Sequence, residues 1–423
     1  MIVTTIEFAS LSLSSVAATV LIATLVVGGC VAAAFATYLL ALSIAAFFYR
    51  EEAIEEPPHS RLLVLIPAHN ESLLISRCVR SLCSQEYPRD LYRVLVVADN
   101  CTDDTAALAA AAGAHTVLRR DEPEARGKGQ ALRWAMDRVL GSDSPPDALV
   151  IVDADSVASP GLLRTLAHRF EAGERAVQAT YLLSPDDHER PSLSGISFML
   201  VNSVRPAGLT VLHVPAIHLA GNGMLFARDL LLQHPWSAFT STEDTEYGLI
   251  LHTSGERVTF ARGALVEAPP APTPQAAEQQ RLRWHGGKVH LARRWLPPLL
   301  KRAIRERRPS LLGPAFELAV PPLGLLTAAA LAGSALCGAA IAAGLMPVWV
   351  LAPWVVGLVF IPAHIIVGLR ATGAARSSYV SLVHAPLYVV HTALRARGVW
   401  RFRGDTWVRT EREPSSSTVT SEV

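Results

Sequence analysis

Two long stretches almost free of charge bracket a charged middle, and this segregation constrains the fold more than any single motif does. Val16 to Phe48 contains no Asp, Glu, Lys or Arg, and charges are sparse again from Leu318 to Leu369. Half of the 423 residues are hydrophobic and only 18% are charged. The charges must therefore gather in a water-facing unit while the bare stretches seek lipid. The pattern predicts a membrane protein carrying one soluble domain.

Val16–Phe48 is long enough for one tilted span, or for a hairpin broken at Gly28-Gly29. Residues 1–14 carry only Glu7 and lack the basic leader of a cleaved signal peptide, so a signal anchor is expected. Arg50 follows the span with no positive residue before it, which places the amino terminus outside and the next domain in the cytoplasm. Pro314–Leu345 and Pro347–Leu369 read as a second hairpin through the bilayer, with Arg370 and Arg376 returning to the cytoplasm. Tyr379–Leu394 contains Ser381, His384, Pro386 and His391, which suits an interfacial or re-entrant helix, with a further span as the alternative. Lys288–Arg308 interleaves basic residues with Trp295, Leu296 and Leu299, the composition of a segment lying on an anionic membrane face. The expected organisation is an anchor (1–49), a linker (50–60), a soluble domain (61–287), a basic interfacial helix (288–310), two transmembrane helices (311–370), an interfacial or re-entrant helix (371–398) and a disordered tail (399–423). The expected location is the plasma (inner) membrane, multi-pass, with the soluble domain cytoplasmic.

Some function classes drop out early. The net charge is +1 and no basic stripe with interleaved aromatics is present, so nucleic acid is not an expected partner. Cys30 and Cys337 lie in apolar runs, and Cys78, Cys83 and Cys101 lack metal-ligand spacing, so all five cysteines are expected reduced.

Between residues 61 and 287 strand-like and helix-like segments alternate, as in an α/β domain with a largely parallel sheet. Strands are expected at Leu62–Ile66, Tyr92–Ala98, His115–Leu118 and Ala176–Leu183, and helices at Ser72–Ser84, Thr102–Ala112, Gln130–Leu140 and Pro160–Glu171. Ala148–Ser156 is an apolar run ending in Asp153-Ala-Asp155. On an extended chain side chains two apart point the same way, so both carboxylates could reach one cation or polar ligand at the strand's carboxyl end, where open α/β sheets bind ligands.

Four further polar clusters fall where strands end or helices begin. Pro67–Glu71 follows the first strand, and Asp99–Asp104 follows the next, with Thr102 a candidate N-cap. Gly127-Lys-Gly129 opens a helix, where backbone N–H groups and an ammonium suit a diphosphate. Thr242-Glu-Asp-Thr245 opens another.

In order and spacing these motifs resemble the family 2 glycosyltransferases of GT-A fold, in particular the membrane-embedded branch with cellulose, chitin, hyaluronan and poly-N-acetylglucosamine synthases. The resemblance runs from Leu62 to Trp284. It implies an α/β, Rossmann-like nucleotide-sugar-binding domain flanked by transmembrane helices. It also implies that Pro67, His69, Glu71, Asp99, Lys128 and Asp153 hold a UDP-sugar, with Ala98 standing where the family has a further aspartate. Asp155, with Asp153, would bind Mg²⁺ or Mn²⁺. His218–Met224 resembles the acceptor loop, putting Gly221, Asn222 and Gly223 at the acceptor together with Gln280 and Trp284 of a full Q-x-x-R-W. Asp244, beside Glu243, would be the general base, and Arg283 would face the departing diphosphate.

The chemistry is coherent. A cation with Lys128 and Arg283 would neutralise the leaving group, while one carboxylate suffices for inverting displacement because the activated donor brings its own leaving group. The expected activity is extension of a β-linked polysaccharide at the cytoplasmic face. The alternative is addition of one sugar to a membrane lipid or lipid-linked acceptor, since few carboxyl-side spans leave a narrow polar path unless a membrane partner subunit or self-association widens it.

Overall fold

The computed structural model describes residues 2–51, 53–54, 56–184, 192–214 and 218–402, the side chains at 2–15, 17, 397 and 400 aside. The serine-rich tail lies outside the described residues.

Eight strands form one sheet: β1 Leu62–Ala68, β2 Tyr92–Asp99, β3 Thr116–Arg120, β4 Ala148–Ile151, β5 Val157–Ala158, β6 Ala176–Leu183, β7 Met224–Ala227 and β8 Thr259–Ala268. Their order is β3-β2-β1-β4-β7-β6-β8-β5. The β1–β4 half is parallel, as its alternation with helices requires. The other half is mixed: β7 runs antiparallel to both β4 and β6, while β6 and β8 are parallel. After β6 the chain leaves for the helices Leu193–Met199 and Arg205–Val211, then re-enters through β7 in the opposite sense. Every residue of β4 is buried, between one apolar layer containing Val64, Val79 and Leu166 and another containing Leu132, Phe226 and Trp236. That sandwiching explains why β4 reads as an unbroken apolar run.

Two expectations from the sequence need correction. β4 ends at Ile151, so Asp153 and Asp155 lie on a turn closed by Ser156 N–H donating to the Asp153 carbonyl at 3.1 Å, not on extended chain. Thr102 caps no helix: the next helix, Thr105–Ala111, has Asp104 at its N-cap, and Thr102 instead binds Asn70.

Among the described residues three helical segments are long and apolar enough to cross a membrane, Ala18–Ala46, Leu323–Ala342 and Val348–Ala371. The first belongs to one continuous helix, Ile2–Ala46, which answers the hairpin alternative. Gly28 and Gly29 do not break it; Trp354 packs there so closely that a Cβ on Gly29 would lie 2.9 Å from the indole nitrogen. The Pro314–Leu345 stretch divides into helices Leu312–Ala319 and Leu323–Ala342 around Pro321-Pro322. Residues 376–394 fold as short pieces, Arg376–Ser381, Leu382–His384 and Ala385–Leu394. The basic segment is not a separate helix. It continues a rod, Pro274–Arg305, capped by Thr273 accepting from Ala276 N–H at 3.1 Å, so Q-x-x-R-W and the basic residues share one element.

The sheet is tied to the apolar helices through β8. A register shift turns Arg262 outward, and its guanidinium donates to the carbonyls of Ala46 (3.4 Å) and Ala371 (2.5 Å) at the carboxyl ends of two of those helices. Tyr49 adds a hydrogen bond to the Phe260 carbonyl at 2.8 Å.

Candidate active site

One cavity of about 450 Å³ opens along the carboxyl edge of β1, β2 and β4 and continues to the apolar helices, reaching Leu39, Leu323 and Tyr388. Its outer end is built by two laced loops. Asn70 and Thr102 exchange hydrogen bonds of 2.8 and 3.1 Å, and the His69 ring binds the Asp99 carbonyl at 2.7 Å. Asn70 and Asn100 take left-handed conformations (φ 52° and 49°), a turn that asparagine tolerates. Asp99 accepts from Arg120 at 2.5 Å, and Arg120, 2% exposed, also binds Glu122 and the Ala125 carbonyl. Burial raises the Asp99 carboxyl while Arg120 holds it down, and the rise prevails.

At the centre Lys128 is shared. Gly127 takes φ 115° and opens the helix Lys128–Leu140, whose first side chain donates to Asp153 at 2.5 Å and to the Gly221 carbonyl at 2.5 Å, with Glu243 at 3.7 Å. Burial alone would lower the ammonium, but Asp153 and Glu243 reverse that and raise it. Burial likewise lifts Asp153, against the pull of Lys128. Asp244 enters from the first turn of the helix Glu243–Thr253. Burial, reinforced by Glu243, pushes it up to about 7, even though Thr245 N–H donates to it at 2.6 Å. A carboxyl poised there can accept a proton near neutrality.

Gln280, Arg283 and Trp284 project from the helix Pro274–Arg305 into the same cavity. Trp284 lies 5.2 Å from the Phe198 ring, which meets Tyr181 edge-on at 4.9 Å, so this side of the cavity has an aromatic wall. Gly287 on that helix faces Ser241 and Thr242, whose hydroxyls are buried at the cavity edge without hydrogen-bond partners among the described residues.

The cavity thus gathers Pro67, His69, Glu71, Asp99, Lys128, Asp153, Asp155, Gly221, Glu243, Asp244, Gln280, Arg283 and Trp284. Asn222 and Gly223, expected at the acceptor, lie behind its wall. Asn222 is fully buried, accepts from Asp153 N–H at 3.0 Å and donates to Ser156 Oγ at 2.8 Å, so it pins the Asp153 turn. At Gly223 a Cβ would meet Ala179 at 2.8 Å. Sequence reasoning passed over Arg120, although its pairing with Asp99 follows from the β2–β3 register, and over Arg205 at the inner end; Lys288, expected on the membrane-facing basic segment, lines the cavity there as well.

Divalent-metal chemistry fits Asp155 and Asp153. Both are hard oxygen donors on one turn, and Ser156 Oγ orients Asp155 at 2.8 Å. Among the described residues no third His, Cys, Asp or Glu completes a cluster.

A profile of glycosyltransferase-like family 2 matches residues 57–287, more than half of the chain. The chain belongs to this family, and its mixed α/β sheet is that of a GT-A domain. Among its relatives, a beta-monoglucosyldiacylglycerol synthase from Synechocystis sp. is 26% identical over 242 residues, 54% of this chain and 48% of that one. Its Nostoc sp. counterpart is 27% identical over 295 residues, 61% of each chain. The match therefore spans about half to three-fifths of the length of these relatives. In fold, the chain is similar to a mannosyltransferase from Pyrobaculum calidifontis in complex with GDP-Man and Mn²⁺, with a TM-score of 0.47 and 20% identity, covering 80% of this chain and 99% of that one.

Proposed function

We propose that the protein is an inverting glycosyltransferase that moves one sugar from a UDP-sugar to a hydroxyl of a membrane-embedded acceptor, from a multi-pass position with the catalytic domain cytoplasmic. The observation that carries this reading is the course of the cavity. It runs from the Asp99 loop past Asp244 and Trp284 to Leu39, Leu323 and Tyr388 beside the apolar helices. A hydroxyl presented from the membrane therefore arrives beside the buried carboxylate.

The residues divide the work. Asp99 and the His69 loop hold the base, Lys128 and Arg283 counter the diphosphate charge, and Trp284 offers its face to a sugar. The acceptor O–H loses its proton to Asp244 as its oxygen bonds to C1. The C1–O bond to the diphosphate breaks on the opposite face, and its electron pair leaves with UDP. A Mg²⁺ or Mn²⁺ held by Asp155 and Asp153 would supply Lewis-acid neutralisation of that leaving group.

Polymer extension is the reading favoured by the full Q-x-x-R-W on the cavity wall. It needs a polar path across the bilayer. Here the candidate spans pack on one another through Leu25, Ala36, Leu326, Ala330, Trp354 and Ile361, an apolar seam, so single addition is preferred. The relatives' lipid acceptor supports the same choice. Purified protein in lipid nanodiscs, given a panel of UDP-sugars, should release UDP and yield a glycolipid carrying one added sugar by mass spectrometry. A sugar homopolymer would sink the single-addition reading, and full turnover in excess chelator would remove the metal.

A further inference from the structure

The inner end of the cavity holds charges that the transfer step does not use. Arg205 follows a π-helical turn, Leu200–Val204, a distortion that often marks functional positions. Its guanidinium is only 11% exposed and stands 3.6 Å from Glu317, which is 5% exposed. The Arg205 Nε is buried without a hydrogen-bond partner among the described residues. A buried ion pair kept for structure alone would be tightly hydrogen-bonded, because desolvation is repaid only by good geometry. Lys288 Nζ reaches the same region and donates to the Val320 carbonyl at 2.9 Å. Tyr38 already donates to Glu317. Two cations thus face one carboxylate in a space shielded from water. His218 adds no positive charge, since burial and Arg205 press it down to about 4.

We propose that Arg205 and Lys288 form a subsite for an anionic phosphodiester on the acceptor lipid, so that the preferred acceptor is a phospholipid with a free headgroup hydroxyl a few bonds from its phosphate. The inference rests on the membrane-acceptor reading and narrows it. Lys288 follows Trp284 by one helical turn, about 6 Å along the axis. A phosphate there sets a nearby hydroxyl at the sugar wall and Asp244, while the acyl chains continue past Leu323 and Tyr388. The donor is not what neutralises this end, because its diphosphate belongs with Lys128, at the centre of the cavity. Burial, with Arg205 beside it, also takes Lys288 down to about 7, so its ammonium is incompletely held until an anion arrives. The neutral diacylglycerol implied by the names of the relatives would leave Glu317 as the one carboxylate facing Arg205 and Lys288.

The test uses full-length protein in phosphatidylcholine vesicles doped with dioleoylphosphatidylglycerol or with dioleoylglycerol, a panel of UDP-sugars, and mass spectrometry of the lipid product. Phosphatidic acid, anionic but without a headgroup alcohol, controls for surface charge. Phosphatidylglycerol should be glycosylated at least tenfold faster than dioleoylglycerol, and phosphatidic acid should not be glycosylated. Lys288→Gln, and independently Arg205→Gln, should raise the KM for phosphatidylglycerol about tenfold or more while leaving that for the UDP-sugar within about twofold. Equal or faster transfer to dioleoylglycerol, or a phosphatidylglycerol preference that survives both substitutions, overturns the subsite and leaves the membrane-acceptor reading standing. Absence of any glycosylated lipid overturns that reading and the subsite with it.

Discussion

Replacing Asp244 with Asn should abolish transfer and stabilise the protein in the same stroke. Asn preserves the shape of the protonated carboxyl and the hydrogen bond from Thr245 N–H. Wild-type Asp244 is displaced from 3.8 to about 7, which at about 1.36 kcal/mol per unit makes its buried charge cost about 4 kcal/mol. The side chain keeps partial contact with the cavity, so water trims this to roughly 2–3 kcal/mol. The sign follows from proton binding. Between about pH 4 and 7 the folded state keeps a proton that the unfolded chain has lost, so this contribution is complete below the unfolded pKa and disappears as pH rises through about 7. Asn never ionises. Asp244→Asn should therefore melt about 5–10 °C above wild type at pH 8 and converge with it towards pH 4. The turnover number should fall by about 10²–10⁴. Melting curves in detergent at several pH values, paired with UDP release, measure both. Equal melting temperatures at pH 8 would mean Asp244 is not held above its ordinary range, and retained transfer would mean it is not the base.

Other substitutions probe its neighbours. For the wild type, kcat/KM should rise about tenfold per pH unit up to about 7 and then level; Glu243→Gln removes a charge that lifts Asp244 and should move the limb about one unit to lower pH. Gly221 sits at φ 77° and a Cβ there would lie 3.0 Å from Asp244 Oδ2 and 3.4 Å from Lys128 Nζ, so Gly221→Ala should cost about 1–2 kcal/mol of stability by denaturant titration and slow transfer at least tenfold. Arg120→Ala leaves the Asp99 carboxylate buried and unpaired, so it should destabilise by about 3–5 kcal/mol and raise the KM for the UDP-sugar.

Much of the sheet is legible in the sequence because strand alternation is a local signal, and most of the expected site residues do line the cavity. The β6 strand matches its expected span, Ala176–Leu183. The rest depended on contacts that local pattern does not carry. Asp153 and Asp155 read as strand because the apolar run before them is continuous, but the fold ends β4 at Ile151 and hands the carboxylates to a turn. Asn222 is placed at the acceptor by the likeness of His218–Met224 to the family's acceptor loop, whereas its side chain is wholly buried. The basic segment reads as independent because basic residues interleave there with Trp and Leu, yet it continues the long helix, with Pro297 and Pro298 inside it. Arg205 carried no motif, and only the packing of Glu317 and Lys288 around the cavity gives it meaning.

Adjacent residues on one loop couple the two halves of the proposed chemistry. Gly221 faces the cavity, where its carbonyl holds Lys128 and its missing side chain leaves room for Asp244. Asn222 faces away and fixes the Asp153 turn through both ends of its amide. The carboxylate pair and the base therefore hang from one piece of backbone, which Gln178 braces by donating to the Asn222 carbonyl at 2.7 Å and accepting from Ala220 N–H at 2.8 Å. Leaving group and nucleophile must be aligned to well under an ångström for displacement at C1. In the proposed chemistry a single braced loop bearing on both sides achieves that. In the proposed chemistry Lys128 is the exchangeable part, paired with Asp153 here and turning to the diphosphate when the donor enters.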